Sequence, residues 1–60
     1  MTARMAEIIA KIENDIGVDK VLIRPVSGDW AIIHPVTSYS AETLYRGTKE
    51  ECEEILSRCR

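Results

Sequence analysis

The stretch VLIRPVSGDWAIIHPV, residues 21–36, decides the fold of this 60-residue chain. Its two halves, VLIRPV (21–26) and AIIHPV (31–36), nearly repeat, since each runs through apolar residues to an isoleucine, a basic residue, proline and valine. Short β-branched runs on either side of a connection that contains glycine and aspartate are typical of a β-hairpin. We therefore predict two antiparallel strands at residues 20–26 and 30–36.

The register of this hairpin is predicted from Pro25, which has no backbone N–H. A two-residue turn at positions 28–29 would place Pro25 at a hydrogen-bonded position of the ladder. A three-residue loop at positions 27–29 sets Val26 opposite Trp30 and turns the nitrogen of Pro25 outward. We therefore predict the three-residue loop.

The predicted register sorts the hairpin side chains onto two faces. An uncharged face carries Val21, Ile23, Pro25, Ala31, Ile33 and Pro35. A mixed face carries Lys20, Leu22, Arg24, Val26, Trp30, Ile32 and His34.

A helix is predicted before the hairpin, because apolar residues in 3–16 recur at the spacing of one helical stripe. Glu7 and Lys11 are expected to form an i,i+4 ion pair on its outer side. Gly17 is expected to end it in a positive-φ conformation.

A third strand is predicted at 42–46, where Leu44 and Tyr45 point in opposite directions and either of them could face the core. After Gly47, the pair Thr48 and Glu51 indicates a capping box. A second helix, 49–60, then places an apolar stripe on its inner side: Cys52, Ile55, Leu56 and Cys59.

The resulting fold class is α+β, with the order αβββα. We expect a three-stranded antiparallel meander with two helices packed on one face. Sixty residues form a single small domain, 1–60, with room for one thin core and no deep pocket.

Charge and hydropathy narrow the functional classes. A net charge of −2 and a pI near 5.2 argue against dedicated nucleic-acid binding. No apolar run approaches the ~20 residues that span a bilayer. Glu7 and Lys11 interrupt the N-terminal apolar segment, so a signal peptide is not expected either. We expect a cytoplasmic protein without membrane association.

No catalytic, metal-binding or cofactor-binding residue is expected. Cys52 and Cys59 lie about 10 Å apart along a helix, beyond the ~7 Å Cα separation that a disulfide tolerates. They have no nearby histidine with which to build a zinc site. His34 lacks the local partners of a triad, and the glycines form no phosphate-binding loop. We therefore expect reduced structural thiols and no enzymatic activity.

The second predicted helix opens with a cluster of glutamates: Glu50, Glu51, Glu53 and Glu54. Helix construction accounts for much of this cluster, because carboxylates suit a helix N-terminus. Pairs of Glu54 with Arg58 and of Lys49 with Glu53 would add to it. The cluster also predicts an acidic patch that binds a basic partner surface, with a merely solvated helix face as the alternative.

The mixed hairpin face is the other predicted contact. Two helices cover one side of a three-stranded sheet, so we expect the mixed face to stay open. Exposed tryptophan and arginine among aliphatic neighbours are typical of a protein-binding hot spot. Partner binding is therefore assigned to Leu22, Arg24, Trp30, Ile32 and His34. In the alternative arrangement the helices pack on this side and bury Trp30.

The C-terminal part of the chain, a short strand followed by YRGT (45–48) and a helix opening KEECEEIL (49–56), resembles small phage and prophage accessory proteins. In length, acidity and compact α+β form the chain is also similar to anti-CRISPR proteins. The resemblance implies inhibition by occupying a nucleic-acid-binding or assembly surface of a host complex, with carboxylates standing in for phosphates. The matching positions are Glu50, Glu51, Glu53 and Glu54.

The leading functional hypothesis is therefore a non-enzymatic, anti-CRISPR-like protein-binding inhibitor that occludes a basic surface of a nucleic-acid-handling complex. One alternative is a nucleic-acid-binding module that uses the open sheet with Lys20, Arg24, Trp30 and His34. Another is a small structural homodimer that pairs through the same sheet face.

Overall fold

The computed structural model describes residues 2–59, which form two α-helices and a three-stranded antiparallel sheet. The elements are α1 (Ala3–Lys11), which continues as a π-helical turn (Ile12–Ile16), a 3-10 turn (Val18–Lys20), β1 (Leu22–Val26), β2 (Asp29–Pro35), β3 (Ala41–Gly47) and α2 (Lys49–Arg58). The strands lie in the order β1-β2-β3. The predicted αβββα meander is confirmed.

Helix α1 begins at a threonine cap and gives way to a glycine. The Thr2 hydroxyl accepts a hydrogen bond from the Met5 N–H at 3.2 Å, which satisfies one of the free donors of the first turn. Gly17 follows the π-helical turn with φ of 107°, as the sequence predicts. Between these ends Met5, Ile9 and Ile12 are buried.

The outer side of α1 differs from the expectation in one contact. The Lys11 ammonium lies 2.8 Å from a carboxylate oxygen of Glu42 on β3, not beside Glu7. Both side chains are about half exposed. An exposed pair of this kind contributes little to the free energy of unfolding, but it joins the first helix to the third strand.

The hairpin turn has two residues, so the predicted three-residue loop is wrong. Pro25 pairs with Trp30 and Val26 with Asp29, which leaves only Ser27 and Gly28 in the turn. Their φ angles are 36° and 89°, the paired positive values of a type I′ turn. This turn matches the strand twist, and its hydrogen-bonded closing pair at Val26 still leaves the Pro25 nitrogen pointing outward. A two-residue turn at positions 27–28 thus keeps the Pro25 nitrogen out of the hydrogen-bond ladder, with a loop one residue shorter than predicted.

This one-residue change moves the predicted β2 side chains to the opposite face relative to β1. Ile23 now lies beside Ile32, and Arg24 beside Ala31. Ile32 is fully buried in the core that both helices share. The helices therefore cover the side that carries Trp30, Ile32 and His34, and the expectation that these three residues lie on the open face is wrong.

A β-bulge explains the ambiguity of the third strand. Ile32 pairs with Tyr45 and Ile33 with Thr43, so Leu44 is an extra residue on β3 without a partner on β2. Leu44 and Tyr45 are 6% and 8% exposed, respectively, and both belong to the core. The bulge breaks the strict alternation of the strand, which allows two consecutive side chains to be buried.

Helix α2 closes the core from the C-terminal side. The predicted capping box is present, with the Thr48 hydroxyl accepting from the Glu51 N–H at 3.1 Å and a Glu51 carboxylate oxygen accepting from the Thr48 N–H at 2.8 Å. Cys52 and Ile55 on the inner side are fully buried. Within residues 2–59, no helix packs on the opposite face of the sheet.

Candidate protein-binding surfaces

The uncovered sheet face, called here the open face, carries a shallow groove of about 260 Å³. Its apolar floor consists of Leu22, Ile33, Pro35 and Ala41, and its rim is the β2–β3 connection at residues 37–40. Leu22 is 43% exposed, in contrast to the fully buried Ile32 of the other face. The prediction that Leu22 and Arg24 lie on an uncovered face is confirmed, although their neighbours on β2 are Ala31 and Ile33.

The rim of the groove is a turn that is stabilised by its own internal hydrogen bonds and carries the exposed ring of Tyr39. The Thr37 hydroxyl oxygen accepts from the backbone N–H groups of Tyr39 and Ser40, both at 3.1 Å. The Ser40 carbonyl accepts from the N–H groups of Val36 and Thr37 at 3.0 and 3.1 Å. The backbone is thus held, while the Tyr39 side chain is 98% exposed.

Two arginines lie on the open face, and they differ in their partners. Arg24 and Arg46 flank Ala31 in the register. Ala31 is fully buried, in keeping with cover by the aliphatic stems of arginine side chains. Arg46 lies 3.4 Å from an Asp29 carboxylate oxygen. Arg24 forms no ion pair with any residue of the described range 2–59, and it is the charged residue of the groove lining.

The second surface is the outward face of α2, called here the acidic face, which carries Glu50, Glu53 and Glu54. All three residues are exposed. Glu54 forms the predicted pair with Arg58, at 3.1 Å. The predicted pair of Lys49 with Glu53 is not formed, because the Lys49 ammonium lies over the Trp30 ring, 5.2 Å from its centroid.

Glu51 is set apart from the other glutamates, because both of its carboxylate oxygens accept hydrogen bonds within the fold. One accepts from the Thr48 N–H at 2.8 Å, and the other from the Tyr45 hydroxyl at 3.1 Å. These contacts, the Thr48 N–H first, hold the pKa of Glu51 below its ordinary value of 4.5. Burial, followed by the Glu51 carboxylate, raises the pKa of Tyr45. Glu51 therefore links β3 to α2, a structural role that the sequence assigned only in part.

The lowered pKa of Glu51 predicts acid sensitivity of the fold. A carboxylate whose pKa is lower in the folded than in the unfolded chain stabilises the fold above the unfolded value and ceases to do so as pH falls through the folded value. We therefore expect the free energy of unfolding to decrease as pH falls below about 4.5, the ordinary value. Glu42, whose pKa Lys11 lowers, acts in the same direction. Urea denaturation at a series of pH values measures the effect.

A neutral replacement identifies the contribution of Glu51 to this acid sensitivity. Glu51→Gln should flatten the pH dependence, because the side chain no longer changes charge. Glu50→Gln removes a neighbouring carboxylate that accepts no side-chain hydrogen bond from the described residues, and it is the matched control. Equal pH dependence in Glu51→Gln and the parent protein would contradict the assignment.

The other residues that the sequence singled out lie on the helix-covered face or pack in and against the core. Trp30 and His34 are half-buried on the helix-covered face. Cys52 and Cys59 are free thiols, and burial raises the pKa of both, which keeps them protonated and weakly nucleophilic at neutral pH. Within residues 2–59 no group of three or more His, Cys, Asp or Glu side chains is placed to hold a metal ion.

Tyr39 is the surface residue that the sequence interpretation missed. Its signal was present in TSYS (37–40), where an aromatic residue stands among hydroxyl residues in a connection. Such a pattern indicates a turn held by side-chain to backbone hydrogen bonds, in which the aromatic ring has no core position to fill.

None of the described helices is long and apolar enough to cross a membrane. No protein-family model matches the chain, and no curated protein or solved structure is significantly similar to it.

Proposed function

We propose that the chain is a non-enzymatic protein-binding inhibitor of the anti-CRISPR type, which acts in the cytoplasm by occluding a basic surface of a nucleic-acid-handling complex. The observation that supports this proposal most is that Glu50 and Glu53 are exposed on α2 and lack an ion pair among the described residues. The fold uses a different glutamate, Glu51, for its cap.

The separation of these roles makes the acidic face available to a partner. A glutamate that caps a helix has its oxygens occupied by backbone donors, whereas Glu50 and Glu53 can both accept hydrogen bonds from lysine or arginine. Charge complementarity of this kind raises association rates and selects basic surfaces over others.

The non-enzymatic part of the proposal rests on the shape and lining of the surface depressions. The depression on the acidic face, of about 520 Å³, lies among Glu50, Glu53 and Glu54, and all three are exposed to solvent, so these carboxylates are not held in an enclosed site. The groove on the open face is smaller. Its volume of about 260 Å³ is below the roughly 300–1,000 Å³ of typical small-molecule sites. No carboxylate, histidine or cysteine belongs to its lining. General acid–base catalysis needs such a group within hydrogen-bonding reach of the substrate.

Charge reversal on the acidic face tests the proposal. The tagged protein is used to capture its partner from the native host, and the purified partner is then titrated with the parent and with Glu50→Lys, Glu53→Lys. We expect affinity to fall by roughly tenfold or more, because two attractive charges become repulsive. The parent affinity should also weaken steeply with salt, since screening acts over about 8 Å at physiological ionic strength.

The matched control reverses two exposed carboxylates elsewhere, Glu7→Lys and Asp19→Lys, with the same change in net charge. It should retain most of the affinity. Equal loss in both double variants would reduce the effect to net charge and contradict a specific acidic face. Tighter binding of the Glu50→Lys, Glu53→Lys variant to a captured nucleic acid would favour the nucleic-acid-binding alternative, and recovery of the chain alone would favour the homodimer.

A further inference from the structure

We infer that the groove on the open face is a second protein-binding site, which takes a peptide segment of a partner that presents an apolar side chain together with a carboxylate. The site does not depend on the acidic face of α2, and its residues belong to β1, β2, the β2–β3 connection and the first residue of β3. The inference rests on the floor of the groove, on its rim and on one unpaired charge.

The floor of the groove is apolar and in part accessible. Leu22 is 43% exposed, and Pro35 and Ala41 beside it are exposed, whereas Ile33 is only 7% exposed. No helix among residues 2–59 covers these side chains. An apolar side chain placed over Leu22, Pro35 and Ala41 would remove their exposed area from water, which is the main favourable term in protein association.

The rim offers an aromatic contact at small entropic cost. The hydrogen bonds among residues 36–40 fix the backbone that carries Tyr39. Its ring is nevertheless 98% exposed, so it contributes nothing to the core. A tyrosine has few rotatable bonds and is enriched in binding hot spots, and a prearranged turn reduces the ordering cost of association.

Arg24 defines the charge of the occupant. Arg46, on the same face, is neutralised by Asp29 at 3.4 Å, whereas Arg24 has no ion pair among the described residues. A guanidinium group binds a carboxylate through two parallel hydrogen bonds. An aspartate or glutamate near the apolar side chain of the bound segment would therefore be held by Arg24.

The same charges disfavour two other occupants. A nucleic acid requires several cations along its backbone, and the groove supplies one in a chain of net charge −2. In a two-fold contact between open faces each copy would present the same surface to the other. Among the described residues the carboxylate of this face is Asp29, which already lies 3.4 Å from Arg46, so a second copy offers Arg24 no carboxylate without a cation beside it.

Selection from a library of random peptides displayed on phage tests the inference. The immobilised full-length chain should enrich a consensus in which an apolar residue stands at a fixed spacing from Asp or Glu. The same selection on Arg24→Glu should replace the acidic position by Lys or Arg. Enrichment without a charged position, or the same consensus on both proteins, would overturn the inference.

Affinity measurements with a synthetic peptide of the consensus sequence complete the test. Arg24→Glu and Tyr39→Ala should each weaken binding by roughly tenfold or more. Lys20→Glu, an equal charge change at an exposed site outside the groove, is the matched control and should bind as the parent does.

Glu50→Lys, Glu53→Lys should leave peptide affinity unchanged, so failure of the acidic-face proposal and failure of this one are distinguishable. Binding of single-stranded oligonucleotides that Arg24→Glu abolishes, or dimerisation that Leu22→Glu abolishes, would assign the groove to another occupant and overturn the inference.

Discussion

Replacing Ile32 by alanine is expected to lower the free energy of unfolding by about 2–5 kcal/mol, the range for removing a fully buried isoleucine side chain. Ile32 is 0% exposed at the centre of β2 and belongs to the core that α1, α2 and β3 share. A chain of this length has a total stability of only about 3–9 kcal/mol. A large fraction of the Ile32→Ala variant should therefore be unfolded near physiological temperature, as thermal melts followed by circular dichroism would show.

Leu22→Ala is the informative control, because the sequence alone predicts that Leu22 and Ile32 lie on the same face. In the structure they lie on opposite faces, and Leu22 is 43% exposed. Truncation of Leu22 should cost less than about 1 kcal/mol, as expected for a surface position. Similar losses in the two variants would contradict the observed register and support the three-residue loop.

Leu22 and Ile32 also illustrate which features of the fold can be predicted from the sequence and which cannot. The apolar spacing in α1, the capping box at Thr48 and the positive φ at Gly17 are local properties, and all three were predicted correctly. The hairpin register depends on one turn residue, Ser27, whose left-handed conformation is unusual outside Asn, Asp and Gly. Because strand side chains alternate, an error of one position at the turn moved Trp30, Ile32 and His34 to the wrong face.

The positions of the candidate surfaces in the fold were predicted with uneven success, for a similar reason. Leu22 and Arg24 are exposed on the open face, as predicted, because the orientation of β1 was predicted correctly. The error in register affected β2 alone. The acidic face was predicted from charge on a helix, which requires no tertiary information. The hydrogen bond between Tyr45 and Glu51 lies outside such reasoning, since it depends on the bulge that turns Tyr45 toward α2.

Gly47→Ala is expected to destabilise the protein, and the sign of the effect is the informative part. Gly47 is not among the glycines with positive φ, so its backbone conformation suits alanine. Where only the backbone matters, a glycine to alanine change stabilises a protein by about 0.4–1 kcal/mol, because the unfolded chain loses freedom. The contacts around Gly47 act in the opposite direction.

A Cβ atom at position 47 would lie 2.7 Å from a carboxylate oxygen of Glu51 and 2.9 Å from Cε2 of the Tyr45 ring. Both distances are shorter than van der Waals contact. The Glu51 side chain is held by the capping box, and the Tyr45 ring is 8% exposed, so neither is free to move aside. Overpacking of this kind costs about 1–3 kcal/mol, which exceeds the gain from the stiffer unfolded chain. Urea denaturation of Gly47→Ala should therefore show a net loss of stability.

A double-mutant cycle with Glu51→Ala separates steric crowding from other effects of the glycine replacement. Removal of the Glu51 carboxylate deletes the nearer of the two short contacts, so Gly47→Ala should cost less in that background than in the parent, with a coupling on the order of 1 kcal/mol. The remaining contact with Tyr45 keeps the cost above zero. If Gly47→Ala were neutral or stabilising in the parent, the close approach of Tyr45 and Glu51 to the chain at position 47 would be contradicted, and with it the joint between β3 and α2 that orients the acidic face.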